Sequence, residues 1–547
     1  MSVFRTQLAK LQPRKQAGRR WVLVPYDQLN DGIGVLAREP AEQLGIVLVE
    51  SRWKARQRPY HRHKLALVLT NLRHFALEQA KRGVAVRHVT GDKPWHELLT
   101  PVVRELGPLR VMLSAERELR EDLAPMVRKG TLVEVPHEGW LTDEADFAGL
   151  EGPPWRMDAF YRGVRKRTGI LMEHGKPLGG RFSFDGENRE PWRGAPTAPQ
   201  EPTFACDAVT EEVVELVERE FADHPGSVRK DHLPATAAHA QQLWAWARKE
   251  CLEHFGPYED AMSTQSTGLF HTRISPLLNL HRLLPRDIVA DTLAMDLPLA
   301  SKEGFVRQVL GWREFVRHVH EATDGFRRLP DGLGIPEARH DLPQAYWGKA
   351  SGLHCLDAVV ADVWREAYSH HITRLMVLGN IATLLAVEPR QVSDWFWAAY
   401  ADAYDWVVEP NVIAMATHGA GTLMTTKPYV SGAGYIHRMS DYCKGCAFDP
   451  KRDCPLTRLY WRFLHHNRAC FAGNQRMAIP LQACARRSAV DKERDERTFE
   501  ALHAALAAGT PFTPANLPGG DAAAPTQRKP AGGKPRTSSA RKPRGRA

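Results

Sequence analysis

Trp21-Val22-Leu23-Val24 is the first of five short apolar runs, and the spacing of its successors decides the fold. Gly45-Ile46-Val47-Leu48-Val49, Val84-Ala85-Val86, Leu109-Arg110-Val111-Met112-Leu113 and Leu132-Val133-Glu134-Val135 follow it. Between them, Lys64 to Ala80 and Trp95 to Glu105 carry apolar residues at helical spacing. Such alternation predicts a doubly wound, parallel five-stranded sheet with helices on both faces, over residues 21–150. Ligands of these sheets sit beyond the carboxyl ends of the strands. Here those ends hold Tyr26-Asp27-Gln28, Glu50 and Ser114-Ala115-Glu116. No G-x-G-x-x-G follows the first strand, which argues against a dinucleotide pyrophosphate. Acid-bearing ends suit a small heteroaromatic ligand with ring N–H donors, and they equally suit acids that merely cap helices.

Working outward, residues 1–20 form a basic extension with six Lys or Arg and no acid, and Arg528 to Ala547 carries eight more. Of the net charge of +10, removing both ends leaves −4 for the body of the chain, so any nucleic-acid face within it must be a local patch. Trp155 to Arg193 is rich in Gly, Pro and Arg, with scattered aromatics and poor periodicity, and residues 151–235 around it read as a long ordered connector. From 236 to 509 the pattern is helical: Asp231 to Phe255, Gly304 to Ala322, Leu356 to Val387, Gln391 to Tyr404 and Leu456 to Arg476 show three-to-four residue apolar spacing. The stretch 510–547 is expected to be a disordered tail. Sparse cysteines, no secretory h-region and no apolar run of membrane-spanning length point to a reducing, cytoplasmic setting without a membrane partner.

Chemistry concentrates between Cys355 and Cys454. Cys443 and Cys446 form a C-x2-C pair, Cys454 follows eight positions later, and Cys355 is available as a distant fourth ligand. Four thiolates fit one tetrahedral Zn2+ or one [4Fe-4S] cluster, and spacing alone does not separate the two. The same stretch holds Tyr368-Ser369-His370-His371, Asp394-Trp395-Phe396-Trp397 and Asp402-Ala403-Tyr404-Asp405-Trp406.

Taken with Phe255-Gly256-Pro257-Tyr258-Glu259-Asp260-Ala261-Met262, His271-Thr272-Arg273-Ile274-Ser275-Pro276 and the Phe305 to Phe315 segment, these motifs resemble photolyases and cryptochromes. The Tyr368 to Met376 block, Thr426-Lys427-Pro428-Tyr429 and the four cysteines resemble one branch, the iron-sulfur bacterial cryptochromes and photolyases that repair (6-4) photoproducts. The resemblance implies a [4Fe-4S] cluster on Cys355, Cys443, Cys446 and Cys454, although the loop between Cys446 and Cys454 is shorter than in the family. Cys206, Cys251, Cys470 and Cys484 match no ligand position and are expected to be ordinary buried thiols.

It further implies FAD in a U-shaped pose in the helical domain. Tyr258 and the turn His271, Thr272, Arg273, Ser275 would hold the pyrophosphate, Gln308 and Arg313 phosphate or ribityl oxygens, and Asp402 ribityl or ring groups. Either Val408 or Glu409 would face flavin N5. In the first domain it implies a 6,7-dimethyl-8-ribityllumazine antenna held by Asp27, Gln28 and Glu50. Trp395, Trp347 and Trp397 would carry electrons to the flavin, although an aromatic in a helical domain is more often simply core.

The activity implied is light-driven repair of UV-damaged DNA by a monomer, with His371 as proton donor to a flipped-out lesion, His370 as its orienting partner and Arg374 as a helix-face anchor. On a helix, neighbours diverge by about 100°, so only one of His370 and His371 is expected to face a given cavity. The alternative is a cryptochrome, in which the same photochemistry drives a signal.

Overall fold

The computed structural model describes residues 2–14, 16–329 and 333–519. Five parallel strands, β1 Arg20–Leu23, β2 Leu44–Ser51, β3 Ala85–Gly91, β4 Leu109–Met112 and β5 Leu132–Val135, form one sheet in the order β3-β2-β1-β4-β5. Each of the five apolar runs yields one strand. β2 is buried along nearly its whole length, as a central strand covered on both faces must be. Gly45 of β2 faces Trp21 of β1 in register, and a Cβ there would lie 2.5 Å from the Trp21 ring, so glycine makes room for the indole.

The basic extension is not a free tail. Val3–Leu11 is a helix with Phe4 and Leu8 buried, capped by the Ser2 hydroxyl, which accepts from the Arg5 N–H and donates to Glu212 at 2.6 Å. Arg73 completes this seat by pairing with Glu212 at 3.0 Å and lying over the Phe4 ring. Two apolar side chains in the first eight residues outweighed the surrounding charge.

Likewise, the supposed tail is partly core: Phe512 is buried, stacks on Phe448 and donates its backbone N–H to the Ser351 carbonyl at 2.9 Å, and Leu517 is buried too. Residues 520–547, with their eight basic side chains, lie outside the described residues. The connector 151–235 includes two well-formed helices, Met157–Thr168 and Ala208–Glu220.

The second half is helical from Ala237–Glu250 to Ala489–Ala507. Three of its helices contain π-helical turns, Arg307–Arg313, Arg374–Gly379 and Pro410–Ala416, a local distortion that recurs at functional sites. The stretch Leu356 to Val387, one helix by periodicity, is broken. His354–Glu366 ends at Ala367, which has φ +50°, and the chain runs extended before His371–Thr373 restarts the helix.

Lys64, on the helix Arg62–Lys81, clamps the halves together. Its Nζ donates to the carbonyls of Trp397 at 2.7 Å and Ala403 at 2.6 Å, and burial lowers its pKa to about 7. Among the described residues no helix is long and apolar enough to cross a membrane.

Candidate functional site

The break after Ala367 builds the centre of the site. His370 occupies the position before the restarted helix, with extended backbone (φ −76°, ψ 168°), and His371 is its first residue. Because His370 is not helical, the 100° divergence expected between neighbours does not apply, and both rings reach His271. The His271 and His370 rings stack at 4.5 Å and 7°, and His371 meets His271 edge-on at 5.3 Å. His271 Nε2 donates to the Glu259 carbonyl at 3.2 Å. Burial pushes the pKa values of His271 and His370 far below the ordinary histidine range, so both rings are neutral at pH 7. His371 is half exposed, with Nε2 3.6 Å from the Asp260 carboxylate, which also accepts from the Tyr435 hydroxyl at 3.1 Å. Burial opposes ionisation of Asp260, but His371, Tyr435 and Arg189 outweigh it and hold its pKa below the ordinary value.

Next to this cluster Arg374 forks onto Asp402, at 3.0 and 2.9 Å, and lies over the Tyr400 ring at 4.1 Å. Ser275 donates to the same carboxylate at 2.7 Å, and Asn279 donates to the Asp402 carbonyl at 2.8 Å. Ser275 and Asp402 therefore meet in one place, and Arg374, expected only as a helix-face anchor, joins them. Gln308 binds Glu259 at 2.6 Å, linking it to the His271 side of the same region. Thr272 is buried beside them, and Tyr258 donates to the Ala195 carbonyl at 3.3 Å. Arg273, with φ +55°, is committed to Glu366 at 2.8 Å and Glu201 at 3.2 Å. Arg313 lies elsewhere: it stacks on Trp140 at 4.2 Å and Trp406 at 5.3 Å, on the face toward the sheet domain. Glu409 is held by His320 at 3.1 Å, Arg327 at 3.2 Å and Arg390.

A row of indoles leads outward from the site. Trp395 and Trp364 both donate to the Tyr346 carbonyl, at 3.0 and 2.9 Å, with ring centroids 5.9 Å apart; Trp364 stacks on Trp347 at 5.6 Å, and Trp347 is 40 % exposed. Trp364 was missed in the sequence, where nothing in its spacing marks it. Trp397 faces away, under the Arg58 guanidinium at 3.7 Å, and does not join the row.

Cys355, Cys443, Cys446 and Cys454 line one apolar cavity with Leu353, Ile436, Tyr442, Phe448 and Leu456. Burial, then the three neighbouring thiols, push the Cys355 pKa well up. Of the remaining cysteines, Cys251 and Cys484 are buried as expected, but Cys206 is half-buried and Cys470 exposed.

At the strand ends, Asp27 accepts from the Ser114 hydroxyl at 2.9 Å, while its Oδ1 has no partner among the described residues; burial raises its pKa to about 7. Gln28 donates to the Met112 carbonyl at 3.0 Å and lines an apolar cavity with Val24, Ile33, Val35 and Val135. The buried Tyr404 hydroxyl and His281 Nε2 are likewise unpartnered among the described residues, and His281 Nδ1 donates to the Asp27 carbonyl at 2.6 Å. Glu50 is not with them: its oxygens are taken by Arg73, at 2.8 and 2.9 Å, and His88, at 2.9 Å.

A parallel sheet of this order joined to a helical half is the architecture of photolyases and cryptochromes. A crystal structure of a bacterial class III photolyase from Agrobacterium tumefaciens matches with TM-score 0.51 and 14 % identity over 90 % of this chain and 98 % of that one. A Synechocystis cryptochrome matches with TM-score 0.51 and 14 % identity over 74 % of this chain and 83 % of that one. Residues 22–233 match the family model of deoxyribodipyrimidine photo-lyase-related proteins. The chain belongs to the photolyase and cryptochrome family. Its relative from Agrobacterium fabrum strain C58, named (6-4) photolyase, is 34 % identical over 491 residues, covering 85 % of this chain and 96 % of that protein.

Proposed function

We propose that this protein repairs (6-4) photoproducts in UV-damaged DNA by light-driven electron transfer, with His371 as the acid. The observation that carries the reading is the pairing of a half-exposed histidine with Asp260, beside the partly buried Arg374–Asp402 pair. FAD would be held by Ser275, Arg374 and Asp402, with Thr272 and Gln308 nearby, and His370 Nδ1, which has no partner among the described residues, fits a bound polar group. When bound, reduced and excited by light, it supplies the electron for repair. Rearranging a (6-4) lesion also moves a hydroxyl between bases, and His371 is the group placed to give and recover the proton. Asp260 fixes the direction of that imidazole, while neutral His370 and His271 wall the pocket. With Glu409 committed to His320, Arg327 and Arg390, Val408 is left for the position against flavin N5.

The four cysteines fit a [4Fe-4S] cluster: all thiol, convergent and in an apolar cavity. The purified protein is expected to hold about four iron and four sulfide per chain. Cys446→Ser is expected to yield little folded protein, because cluster binding and folding are coupled. Zinc in place of iron after anaerobic purification would overturn the assignment. For the lumazine antenna, the unpartnered Asp27 Oδ1, Tyr404 hydroxyl and His281 Nε2 offer hydrogen bonds to a heteroaromatic ring; Glu50, spoken for by Arg73 and His88, does not.

The indole row supports photoreduction through Trp395, Trp364 and Trp347. Trp364→Phe is expected to slow flavin photoreduction severalfold at unchanged FAD content, whereas Trp397→Phe leaves the rate unaltered. Equal rates in the parent and Trp364→Phe would sink the route.

Repair and cryptochrome signalling share this photochemistry, and lesion turnover separates them. Illuminated protein is expected to restore a defined (6-4) oligonucleotide and to leave a cyclobutane dimer untouched. No turnover of the (6-4) substrate would favour the signalling reading.

A further inference from the structure

The residues after the last long helix touch every segment that carries one of the four convergent cysteines. Phe512 is 1 % exposed, and its ring stacks on Phe448 at 5.8 Å and 20°. Phe448 lines the cysteine cavity and belongs to the stretch between Cys446 and Cys454, which no helix or strand spans. The Phe512 N–H donates to the Ser351 carbonyl at 2.9 Å, and a Cβ on Gly352, which has φ +80°, would lie 2.0 Å from the Phe512 carbonyl oxygen. Ser351 and Gly352 donate their own N–H groups to Asp357, at 2.8 and 3.3 Å, and lead through Leu353, another wall of the cavity, to Cys355. Farther on, Leu517 is buried, and the Pro518 carbonyl accepts from Arg458 at 2.7 Å, one turn after Cys454 on the helix Pro455–His466.

We propose that Thr510 to Pro518 is a strap that ties these three segments together and shields the cysteine cavity, so that its seating sets how fast a bound cluster is lost. The inference rests on the cluster reading given above. Cys355 is far in sequence from the other three thiols, and holding such segments together costs chain entropy that local structure between Cys446 and Cys454 does not offset. The strap supplies the missing contacts. Its own hold is slight: the residues from Thr513 to Asn516 are exposed, leaving Phe512, Leu517 and a few backbone bonds to seat it, as in segments that open locally at low cost. Cys443, Cys446 and Cys454 are only half-buried, so an unseated strap frees the loop that carries Cys454 and opens the cavity to water and chelators.

The test is the rate at which full-length protein gives up iron to a ferrous chelator under anaerobic conditions, followed beside the melting temperature. Phe512→Ala is expected to release iron at least about tenfold faster than the parent, since truncating a buried, stacked phenylalanine favours the open segment by more than that factor. Gly352→Ala, which pushes on the Phe512 carbonyl from the other side, is expected to do the same, and Phe512→Leu, which keeps an apolar anchor, to restore most of the parental rate. Leu243→Ala removes a buried side chain from a separate apolar cluster of the same half and is expected to release iron as the parent does. A parental rate in Phe512→Ala or Gly352→Ala, or equal acceleration in Leu243→Ala, would overturn the strap. Parent protein that holds no iron would remove the cluster reading instead; the strap is then read from the rate at which iodoacetamide alkylates Cys443, Cys446 and Cys454, with the same order expected among the variants and the same outcomes overturning it.

Discussion

His371→Ala is expected to hold FAD and damaged DNA as the parent does but to repair (6-4) photoproducts at least about 100-fold less efficiently, the usual contribution of a positioned general acid. The side chain is half exposed and bonded only at its edge, so its removal opens no core cavity, and the melting temperature should stay close to the parent's. His370→Ala would be a poorer test, because His370 is buried and stacked on His271 and its loss would damage the pocket itself. Repair quantum yield on a defined (6-4) oligonucleotide is the measurement. A near-parental yield would remove His371 from the mechanism. Asp260→Asn should show a smaller loss of repair, since the imidazole remains but its orienting charge is gone.

The second large effect is on stability. Asp402→Asn leaves the partly buried Arg374 guanidinium against Tyr400 without its counter-charge, and breaking such a pair from one side costs up to about 3–5 kcal/mol, the figure for a fully buried pair. For a helical half of this size that lowers the melting temperature by roughly 5–10 °C, with loss of bound FAD. Burial alone would raise the Asp402 pKa, but Arg374 and Ser275 hold it below its ordinary value. Its contribution is therefore fully present above the unfolded carboxylate's pKa of about 3.9 and fades as the pH falls below that toward the folded value. The gap between parent and variant should be constant from pH 5 to 8 and close in acid. Removing both partners, Arg374→Met with Asp402→Leu, should recover part of the stability but not the FAD. A single variant that melts with the parent would mean that the pair is solvated and not the anchor described here.

What the sequence determined by itself is what depends on neighbours in the chain. Five apolar runs separated by amphipathic stretches gave five strands; the central ones, covered on both faces, have to be apolar throughout, while the edge strands β3 and β5 keep exposed positions, and both patterns are local. The C-x2-C pair was legible for the same reason, and so were Ser275, Asp402 and the two adjacent histidines, each inside a short motif. Tertiary structure decided the rest. Periodicity ran Leu356 to Val387 as one helix, yet the break at Ala367 is what lets His370 and His371 reach the same cluster. Trp364 became the middle of the indole row, and Trp397 left it, because each helix shows its neighbours one face and spacing does not say which neighbour that is. Glu50 sits where partners far away in sequence, Arg73 and His88, offer a buried charge its compensation, and Arg313, paired with its neighbour Glu314, lays its guanidinium on Trp140 and Trp406, which only folding brings to it. A buried charge goes to the partners that compensate its lost hydration, and those partners are brought within reach only by folding.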